Sequence, residues 1–380
     1  MRSILHNILA GAILLVLAAG LGCHGDGATP RDPAEDTNPA PDVAEPAQDA
    51  EPRVDAGADL DAGGRDSAAD AAVDAAGDGD DGGALPGPVF SFAVLADPHL
   101  DGTPSRRENL QRAVDRIVAE REAWGIELVF IAGDIAWGSV DGMSNLADAR
   151  EILEGLEEAG IHYVPLLGDN EVQYGSEQEF HQVFGPHYQD MAAALKGWQQ
   201  LATPVDGLYL QSFSFNHRGC HFVCPDFISR QPGNEAADLN DFEGGSWPWF
   251  QADVTDAAQG PKERINVFSH HGMFNTGLAS VDRLLISDEA MDQVVELLCP
   301  LREFVSASYG GHIHQNWVWE VYCDSGEPIY QVWMTDDAFD AVVPPEPDDH
   351  RITIRVVEVS AAAGGFTYEQ HLLEEPVVVE

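Results

Sequence analysis

Residues Phe304–Asn316 read FVSASYGGHIHQN, and this stretch holds the pattern that decides the fold. An apolar run, predicted as a strand over 304–307, leads through a Ser308–Gly310 turn to two histidines on alternate positions, His312 and His314. On a continuing strand, alternate side chains would share one face and would need no function. Beside the carboxyl end of a buried strand, the same two imidazoles are placed to bind metal. The rest of the chain must distinguish these two interpretations.

Four other predicted strands (89–96, 128–132, 163–167 and 265–268) are followed by similar polar residues. The blocks that follow them are Asp97-Pro98-His99, Gly133-Asp134, Gly168-Asp169-Asn170-Glu171 and His270-His271. A single Asp after a strand is most often a turn residue or a helix cap, but five such blocks in series are hard to explain as turns. In open α/β sheets, ligands bind at the carboxyl ends of strands. Carboxylates together with imidazoles suit Mn, Fe or Zn.

The order of the remaining elements predicts an α/β (α+β) domain. Helices are expected from Ser105, with Ser105 and Glu108 as a capping box, over 144–159 and over 288–299. Further strands are expected as four alternating segments near the carboxyl terminus and as two in the middle of the chain, 208–216 and 220–224. This order favours two packed mixed sheets with helices outside. The segments 172–205 and 226–260 are interpreted as long loops that shape a pocket.

The amino-terminal 22 residues are predicted to be a signal peptide. Residues Ile8–Ala19 are almost all apolar but too few to span a bilayer comfortably. They lead to Cys23, and a cysteine after small residues resembles the lipobox of bacterial lipoproteins. The resemblance implies export and a membrane anchor through lipid on Cys23. A glycine stands where that box usually has leucine, so plain secretion stays open.

Residues 23–88 are predicted to be a disordered acidic linker, and 89–380 the folded domain. From 24 to 88 the chain holds 17 acidic residues, 3 arginines and no aromatic residue, so it has too little apolar surface to fold. The whole chain carries a formal charge of −46 and has two lysines, Lys196 and Lys262. Without a basic patch, nucleic-acid binding is not expected. The composition leaves the oligomeric state undecided.

Four cysteines lie in the predicted domain, and outside the cytoplasm they are expected to form two disulfides. Cys220 and Cys224 lie on one predicted strand, about 13 Å apart, which is too far for a disulfide. They would therefore pair with Cys299 and Cys323. Four free buried thiols remain the alternative. The spacing is not that of a zinc site, which uses Cys-x-x-Cys pairs.

As an ordered set, the five strand-end blocks resemble the calcineurin-like metallophosphoesterases. That family shows Asp-x-His, Gly-Asp, Gly-Asn-His-Asp/Glu, His and Gly-His-x-His in this order, and the resemblance here covers Asp97 to His314. It implies a four-layer α-β-β-α sandwich that binds two metal ions, Mn, Fe or Zn. It also implies hydrolysis of a small-molecule phosphomonoester or phosphodiester, by in-line attack of an activated water on phosphorus.

The resemblance also implies a role for each site residue. One ion would be held by Asp97, His99 and His314. The second would be held by Asp169, His270 and His312, with Asp134 bridging the two. The candidates to contact the phosphate are His271, His217 and Asn170, and for each of them a structural hydrogen bond is an equally open alternative.

Four positions depart from the family pattern. Asp169 stands where the family has its Asn ligand, and Asn170 stands where it has the His that contacts phosphate and protonates the leaving group. Asn cannot act as a general acid. A shifted register, with Asn170 as the ligand, stays open. Gly272 replaces a proline after the fourth block, and Trp137 stands where purple acid phosphatases have an iron-binding Tyr, which argues against that subfamily.

Two alternatives to a hydrolase follow from these residues. The first is a surface binding protein that keeps the metal site but turns over weakly or not at all, and Asn170 is its main support. The second is cell-surface adhesion through three aromatic residues of the predicted loops, Trp247, Trp249 and Phe250.

Overall fold

The computed structural model describes most of the predicted domain. The described residues are 88–137, 142–174, 177–202, 209, 211–231, 234, 236–239, 245–338 and 351–376. The predictions for the signal peptide, for Cys23 and for the linker before Pro88 lie outside them. Within the described residues, no helix is both long and apolar enough to cross a bilayer.

Twelve described strands form two mixed sheets. They are β1 (Pro88–Leu95), β2 (Ile126–Ile131), β3 (His162–Pro165), β4 (Lys196–Gln200), β5 (Phe213–His217), β6 (Cys220–Cys224), β7 (Ile265–Phe268), β8 (Val305–Gly310), β9 (Trp317–Tyr322), β10 (Pro328–Met334), β11 (Arg351–Ala362) and β12 (Gly365–Pro376). One sheet has the order β12-β11-β1-β2-β3 and the other β4-β5-β6-β7-β8-β10-β9. Strands β1, β2 and β3 run parallel, as do β6, β7, β8 and β10. The remaining neighbours are antiparallel.

The described helices lie between these strands in the chain. They are α1 (Pro104–Trp124), α2 (Gly142–Glu158), α3 (Asp169–Gln173), α4 (Glu177–Ala194), α5 (Ser246–Ala257), α6 (Ala279–Asp282), α7 (Asp288–Leu298) and a 3₁₀ helix, Cys299–Leu301. The predicted start of α1 was wrong: the helix begins at Pro104 after Thr103, because proline suits the first helical position. It ends at Gly125, whose φ of 65° is the left-handed conformation that suits glycine.

The predicted fold class is confirmed. Aromatic side chains of the two sheets meet in the interior, where Phe130 stacks on Phe268 at 3.7 Å between ring centroids. Phe92 packs edge-on against Phe222 at 5.6 Å and against Tyr309 at 5.4 Å. Helices α1 and α2 cover the outer face of the five-stranded sheet. A second apolar cluster joins the seven-stranded sheet to α5 and α7, which completes four layers.

Three local predictions were wrong. The segment 172–205 contains α4 and β4, and 226–260 contains α5. These elements were not recognised because the segments are irregular in composition and rich in aromatic residues, many of which lie on buried faces. Trp247 and Phe250 are buried in the second apolar cluster, and Trp249 packs against it. The two buried rings are therefore core residues and offer no adhesive surface. Ser308–Gly310 continues strand β8 and does not form a turn.

The expected cysteine pairing was wrong. Cys299 and Cys323 form a disulfide with Cα atoms 5.6 Å apart. Cys220 and Cys224 remain free and buried on β6. The structure therefore contains one disulfide where two were expected, and it joins the two cysteines that were each expected to pair with a cysteine of the strand.

Candidate metal centre

The carboxyl ends of five parallel strands deliver the predicted ligands to one place. Asp97 comes two residues after β1, Asp134 three residues after β2 and Asp169 four residues after β3. His270 and His312 each come two residues after the end of a strand, β7 and β8. The two sheets meet at this edge, where both oxygens of Asp97 accept hydrogen bonds from the backbone N–H of His312, at 3.1 and 2.9 Å.

The predicted ligands fall into three groups that share members. Within each group, one ligand atom per residue lies within 4.8 Å of the others. The groups are Asp97, His99 and His314; Asp97, Asp134 and His270; and Asp169, His270, His271 and His312. The first group contains the residues predicted for one ion, the last contains those predicted for the other together with His271, and the middle group combines members of both. Asp134 contacts His99 at 3.6 Å and His270 at 3.4 Å, and so lies between the two sites.

Five of the seven predicted ligands have a backbone conformation that side chains rarely adopt. Their φ angles are 50° at Asp97, 46° at His99, 50° at Asp134, 69° at His312 and 50° at His314. A positive φ at a residue other than glycine costs on the order of 1–3 kcal/mol, and such residues persist only where surrounding structure holds them. Their clustering at one edge of the fold is typical of a functional site.

Glycines beside the acids allow the loops to approach each other. A Cβ at Gly168 would lie 2.0 Å from Oδ1 of Asp134, and one at Gly311 would lie 2.4 Å from Oδ2 of Asp97. Gly133, with φ of 89°, would place a Cβ 2.4 Å from the ring of His270. Any larger residue at these three positions would push a ligand out of place.

A hydrogen bond to the backbone orients His270 so that its other ring nitrogen faces Asp169. Its Nδ1 donates to the backbone oxygen of Ala132 at 2.7 Å. Its Nε2 points at Oδ1 of Asp169, 2.9 Å away. A carbonyl partner on one nitrogen fixes the tautomer that leaves the other nitrogen available to a metal.

Two further observations fit the metal-binding interpretation. Nε2 of His99 and Nε2 of His314 face each other at 3.1 Å. Two nitrogens bound to one ion at about 2.0–2.1 Å, at roughly a right angle, adopt this separation. Nε2 of His312 is buried and has no hydrogen-bond partner among the described residues. The donor set of carboxylates and imidazoles therefore fits transition-metal ions.

Burial and neighbouring charges shift the titration of the cluster in different directions. Although burial opposes it, the charges of Asp134 and its neighbouring carboxylates raise the pKa of His270 well above its usual range. Burial raises the pKa of Asp97 well above its usual value and the pKa of Asp134 to about 7. It lowers the pKa of His99 well below its usual range, and burial with the charge of His312 lowers the pKa of His314 to about 3. His99 and His314 are thus neutral, as ligands must be, and the buried carboxylates need cations to ionise at low cost.

Asp169 and Asn170 face different partners. Oδ1 of Asp169 lies 2.9 Å from Nε2 of His270 and 3.1 Å from Nδ1 of His312. Although burial opposes it, hydrogen bonds from these two histidines hold the pKa of Asp169 below its usual range. Asn170 instead forms two hydrogen bonds with Asp134. Its backbone N–H donates to Oδ1 at 2.9 Å, and its side-chain amide donates to Oδ2 at 2.7 Å. This geometry favours the unshifted register.

The other two predicted phosphate contacts lie in different places. His271 is buried in the second group, with its ring 4.2 Å from that of His312. His217 stands at the end of β5, where it contacts Oε2 of Glu127 at 2.7 Å. Glu127 lies near the start of β2, at the edge opposite the ligands. We therefore leave His217 out of the proposed site.

Two carboxylates of the site were missed by sequence reasoning. Asp337 is buried three residues after β10, and its Oδ2 lies 3.5 Å from Nδ1 of His314. Asp337 also follows the end of a strand, and this pattern was the signal from which the sequence could have identified it. Glu171 is fully buried and accepts the backbone N–H groups of Ala136 and Gly168, both at 2.8 Å. It joins the loop of Asp134 to the loop of Asp169.

Comparisons with known proteins give structural likeness at low sequence identity. No family model and no curated protein match the chain. A dimetal phosphatase from Danio rerio is 14% identical with a TM-score of 0.47, over 77% of this chain and 100% of that one. GAP50, the anchor in the inner membrane complex of Plasmodium, is 14% identical with a TM-score of 0.40, over 77% and 90%. A protein described as a 5′-nucleotidase from Staphylococcus aureus is 13% identical with a TM-score of 0.40, over 77% and 55%.

These TM-scores are below 0.5, so the structural likeness carries no statement about function.

Proposed function

We propose that the folded domain is a metal-dependent phosphoester hydrolase that acts on a small-molecule substrate. The observation that carries this proposal is the Asp/His cluster at the shared carboxyl edge, where ligand atoms converge within 4.8 Å. One ion would be held by Asp97, His99 and His314, the other by Asp169, His270 and His312, with Asp134 between them. When bound, such ions supply charge neutralisation for phosphoryl oxygens and a water of lowered pKa.

The chain's own residues hold this arrangement in place. The carbonyl of Ala132 orients His270, and Asn170 fixes both oxygens of Asp134. His271 lies beside the second ion site and is our candidate donor to a phosphoryl oxygen. Asn170 is buried against Asp134 and His99, and an amide gives up no proton to a leaving group. We therefore expect turnover to favour esters whose leaving groups depart without protonation.

Metal analysis of matched variants tests the ligand set. The metal-free full chain would be loaded with Mn²⁺, Zn²⁺ or Fe²⁺, and bound metal measured by elemental analysis. Asp134→Asn and His314→Ala should each lose bound metal. His162→Ala, which removes a half-exposed imidazole at the start of β3, should keep the wild-type content. Full metal content in both site variants would overturn the assignment.

Activity is tested on the same preparations. Aryl phosphomonoesters and aryl phosphodiesters should be hydrolysed only by the metal-loaded protein, and the ratio of the two rates assigns the substrate class. The control His162→Ala should match the wild type. Absence of turnover on every ester with both ions bound would contradict a hydrolase.

Absence of turnover with the metal bound would favour the alternative, a metal-binding surface protein with weak or no turnover. Asn170 is the observation behind it, because the proton donor of similar sites is missing there. Replacing Asn170 with His then separates the two functions. If the wild type is a hydrolase without a general acid, the variant should gain more on alkyl esters than on nitrophenyl esters, by as much as about 10²-fold. Equal gains would mean that another group, such as His271, already gives the proton.

We also propose that the chain is exported and anchored by lipid on Cys23. The apolar segment ending at Cys23 motivates this, and the Cys299–Cys323 disulfide supports it, because disulfides persist mainly outside the cytoplasm. Cys23→Ser should move the protein from the membrane fraction to the soluble fraction. If the variant stayed as firmly in the membrane fraction as the wild type, the anchor proposal would be wrong.

A further inference from the structure

Two exposed aromatic rings lie side by side next to the metal centre. Trp137 is 40% exposed and Tyr174 is 54% exposed. Their ring centroids are 6.4 Å apart and their planes differ by 17°. Aromatic rings contribute most when they bury large areas, so two nearly parallel rings left open to solvent offer a surface on which another flat group can stack. We call this pair the aromatic platform.

The platform adjoins the first ion site. The centroid of the Trp137 ring lies 5.2 Å from that of the His99 ring. Trp137 follows the ligand Asp134 by three residues, and Tyr174 follows Asp169 by five. The same two loops therefore carry metal ligands and platform rings, so a group bound on the rings lies next to a phosphate bound at the cluster.

Backbone hydrogen bonds hold the platform in register with the ligands. Trp137 donates its backbone N–H to the oxygen of Leu100 at 2.8 Å, and Tyr174 donates to the oxygen of Asn170 at 3.4 Å. Between them, Glu171 accepts the N–H of Ala136 at 2.8 Å. The rings are thus carried by the backbone that positions Asp134, which favours a preorganised subsite.

A cation stands at the same place. The guanidinium carbon of Arg106 lies 5.9 Å from the Trp137 ring centroid, and its Nη1 donates to the backbone oxygen of His99 at 2.6 Å. Its Nε also lies 3.5 Å from Oδ2 of Asp101, so the guanidinium is paired and contributes mainly a planar cationic face beside the ring. A flat surface of aromatic rings next to a candidate metal cluster, which would bind phosphate through its ions, together suit a ligand that is aromatic and phosphorylated.

We propose that the aromatic platform binds the planar leaving group of an aryl phosphoester whose phosphate lies at the Asp/His cluster. This inference rests on the proposed function. It names the leaving group because the Trp137 ring lies beside the candidate ligand His99, with 5.2 Å between the ring centroids, and because Asn170 provides no proton to a basic alkoxide. In the reaction, the bond from phosphorus to the aryl oxygen breaks and leaves its electron pair on that oxygen. The oxygen of water forms the new bond to phosphorus and releases its proton to solvent.

A binding experiment tests the platform without turnover. Phenylphosphonate and methylphosphonate, which have no ester bond to break, would be titrated calorimetrically into the metal-loaded full chain. Trp137→Leu should weaken phenylphosphonate binding about tenfold, since stacking on one aromatic ring is worth roughly that factor or more. Methylphosphonate binding should change less than about twofold by the same reasoning. Trp137→Phe should retain most of the phenylphosphonate affinity, because it keeps a ring.

Matched variants guard against indirect effects. Tyr174→Leu should also weaken phenylphosphonate selectively. Tyr322→Leu removes a ring that is 50% exposed on β9, and it should bind both phosphonates as the wild type does. Equal losses for the two phosphonates in Trp137→Leu, or no loss for either, would overturn the proposal.

Kinetics distinguish an aromatic leaving group from a nucleobase. Phenyl phosphate, adenosine 5′-monophosphate and glycerol phosphate would be compared in the wild type and in Trp137→Leu. A loss confined to phenyl phosphate supports the leaving-group assignment, and a loss confined to the nucleotide overturns it. If no ester is hydrolysed but phenylphosphonate still binds selectively, the platform stands and the proposed hydrolase function fails.

Discussion

Replacing Gly168 with alanine tests whether the close approach of two loops positions the bridging carboxylate. The backbone at Gly168 is extended, with φ of −112° and ψ of 178°, so alanine adopts this conformation without strain. The obstacle is steric: a Cβ there lies 2.0 Å from Oδ1 and 2.1 Å from the backbone N of Asp134. Real Cβ atoms do not come closer than 3.0 Å, so Asp134 must move by about 1 Å, the difference between 3.0 and 2.0 Å.

That displacement sets the expected loss. A misplacement of about 1 Å in a reacting constellation costs on the order of 10²-fold in rate, or about 2.7 kcal/mol of barrier. Metal affinity should fall as well, by about 10–100-fold, as it does when the support of a ligand is lost. Calorimetric titration of the metal-free variant with Mn²⁺ measures the affinity, and hydrolysis of phenyl phosphate measures the rate. Circular dichroism confirms that the variant is folded.

A second glycine provides the control. Gly155 lies in α2, and a Cβ there would be 3.6 Å from Cγ1 of Val114, which is an ordinary contact. Gly155→Ala should bind metal as the wild type does and gain about 0.5–1 kcal/mol of stability from its helical position. If Gly168→Ala also bound both ions with wild-type affinity and kept the wild-type rate, the loop contact would not be what positions Asp134.

Three further predictions concern other parts of the domain. Asp337→Asn replaces the carboxylate beside His314 and should lower Mn²⁺ affinity about 10–100-fold; an unchanged titration would show that Asp337 does not orient this ligand. Changing Cys299 and Cys323 together to Ser removes a disulfide across 24 positions and should cost about 3 kcal/mol in urea unfolding; a loss below about 0.5 kcal/mol would contradict that model. Burial and a neighbouring glutamate raise the pKa of Glu263 to about 7, so its stabilising contribution is full below pH 4.5 and is lost as the pH rises through about 7. Glu263→Gln should therefore match the wild-type Tm at pH 4 and exceed it at pH 8, and a Tm difference independent of pH would refute this.

Residue types at strand ends carried most of the prediction of the site. Buried strands are recognisable from their apolar runs, and polar residues directly after them stand out against that background. Parallel strands bring their carboxyl ends to one edge, so Asp97, Asp134 and Asp169 were expected to meet, and in the structure all three lie within 3.9 Å of the ring nitrogens of His270. The same pattern after β10 would have found Asp337, but an Asp-Asp pair far from the family motif was not recognised as part of it.

The direction and neighbours of each strand are decided only by the tertiary structure. His217 also follows an apolar run, yet β5 is antiparallel to β6, so its end lies at the edge opposite the ligands. Likewise, Cys220 and Cys224 lie on β6 and remain free, whereas Cys299 and Cys323 form a disulfide with each other. Local periodicity shows which face of a segment is buried, but it carries no information about which distant segment covers that face. For the same reason, the sequence alone could name candidate metal ligands, whereas the pairing of Trp137 with Tyr174 beside them depends on the approach of two distant loops, which Glu171 joins by hydrogen bonds.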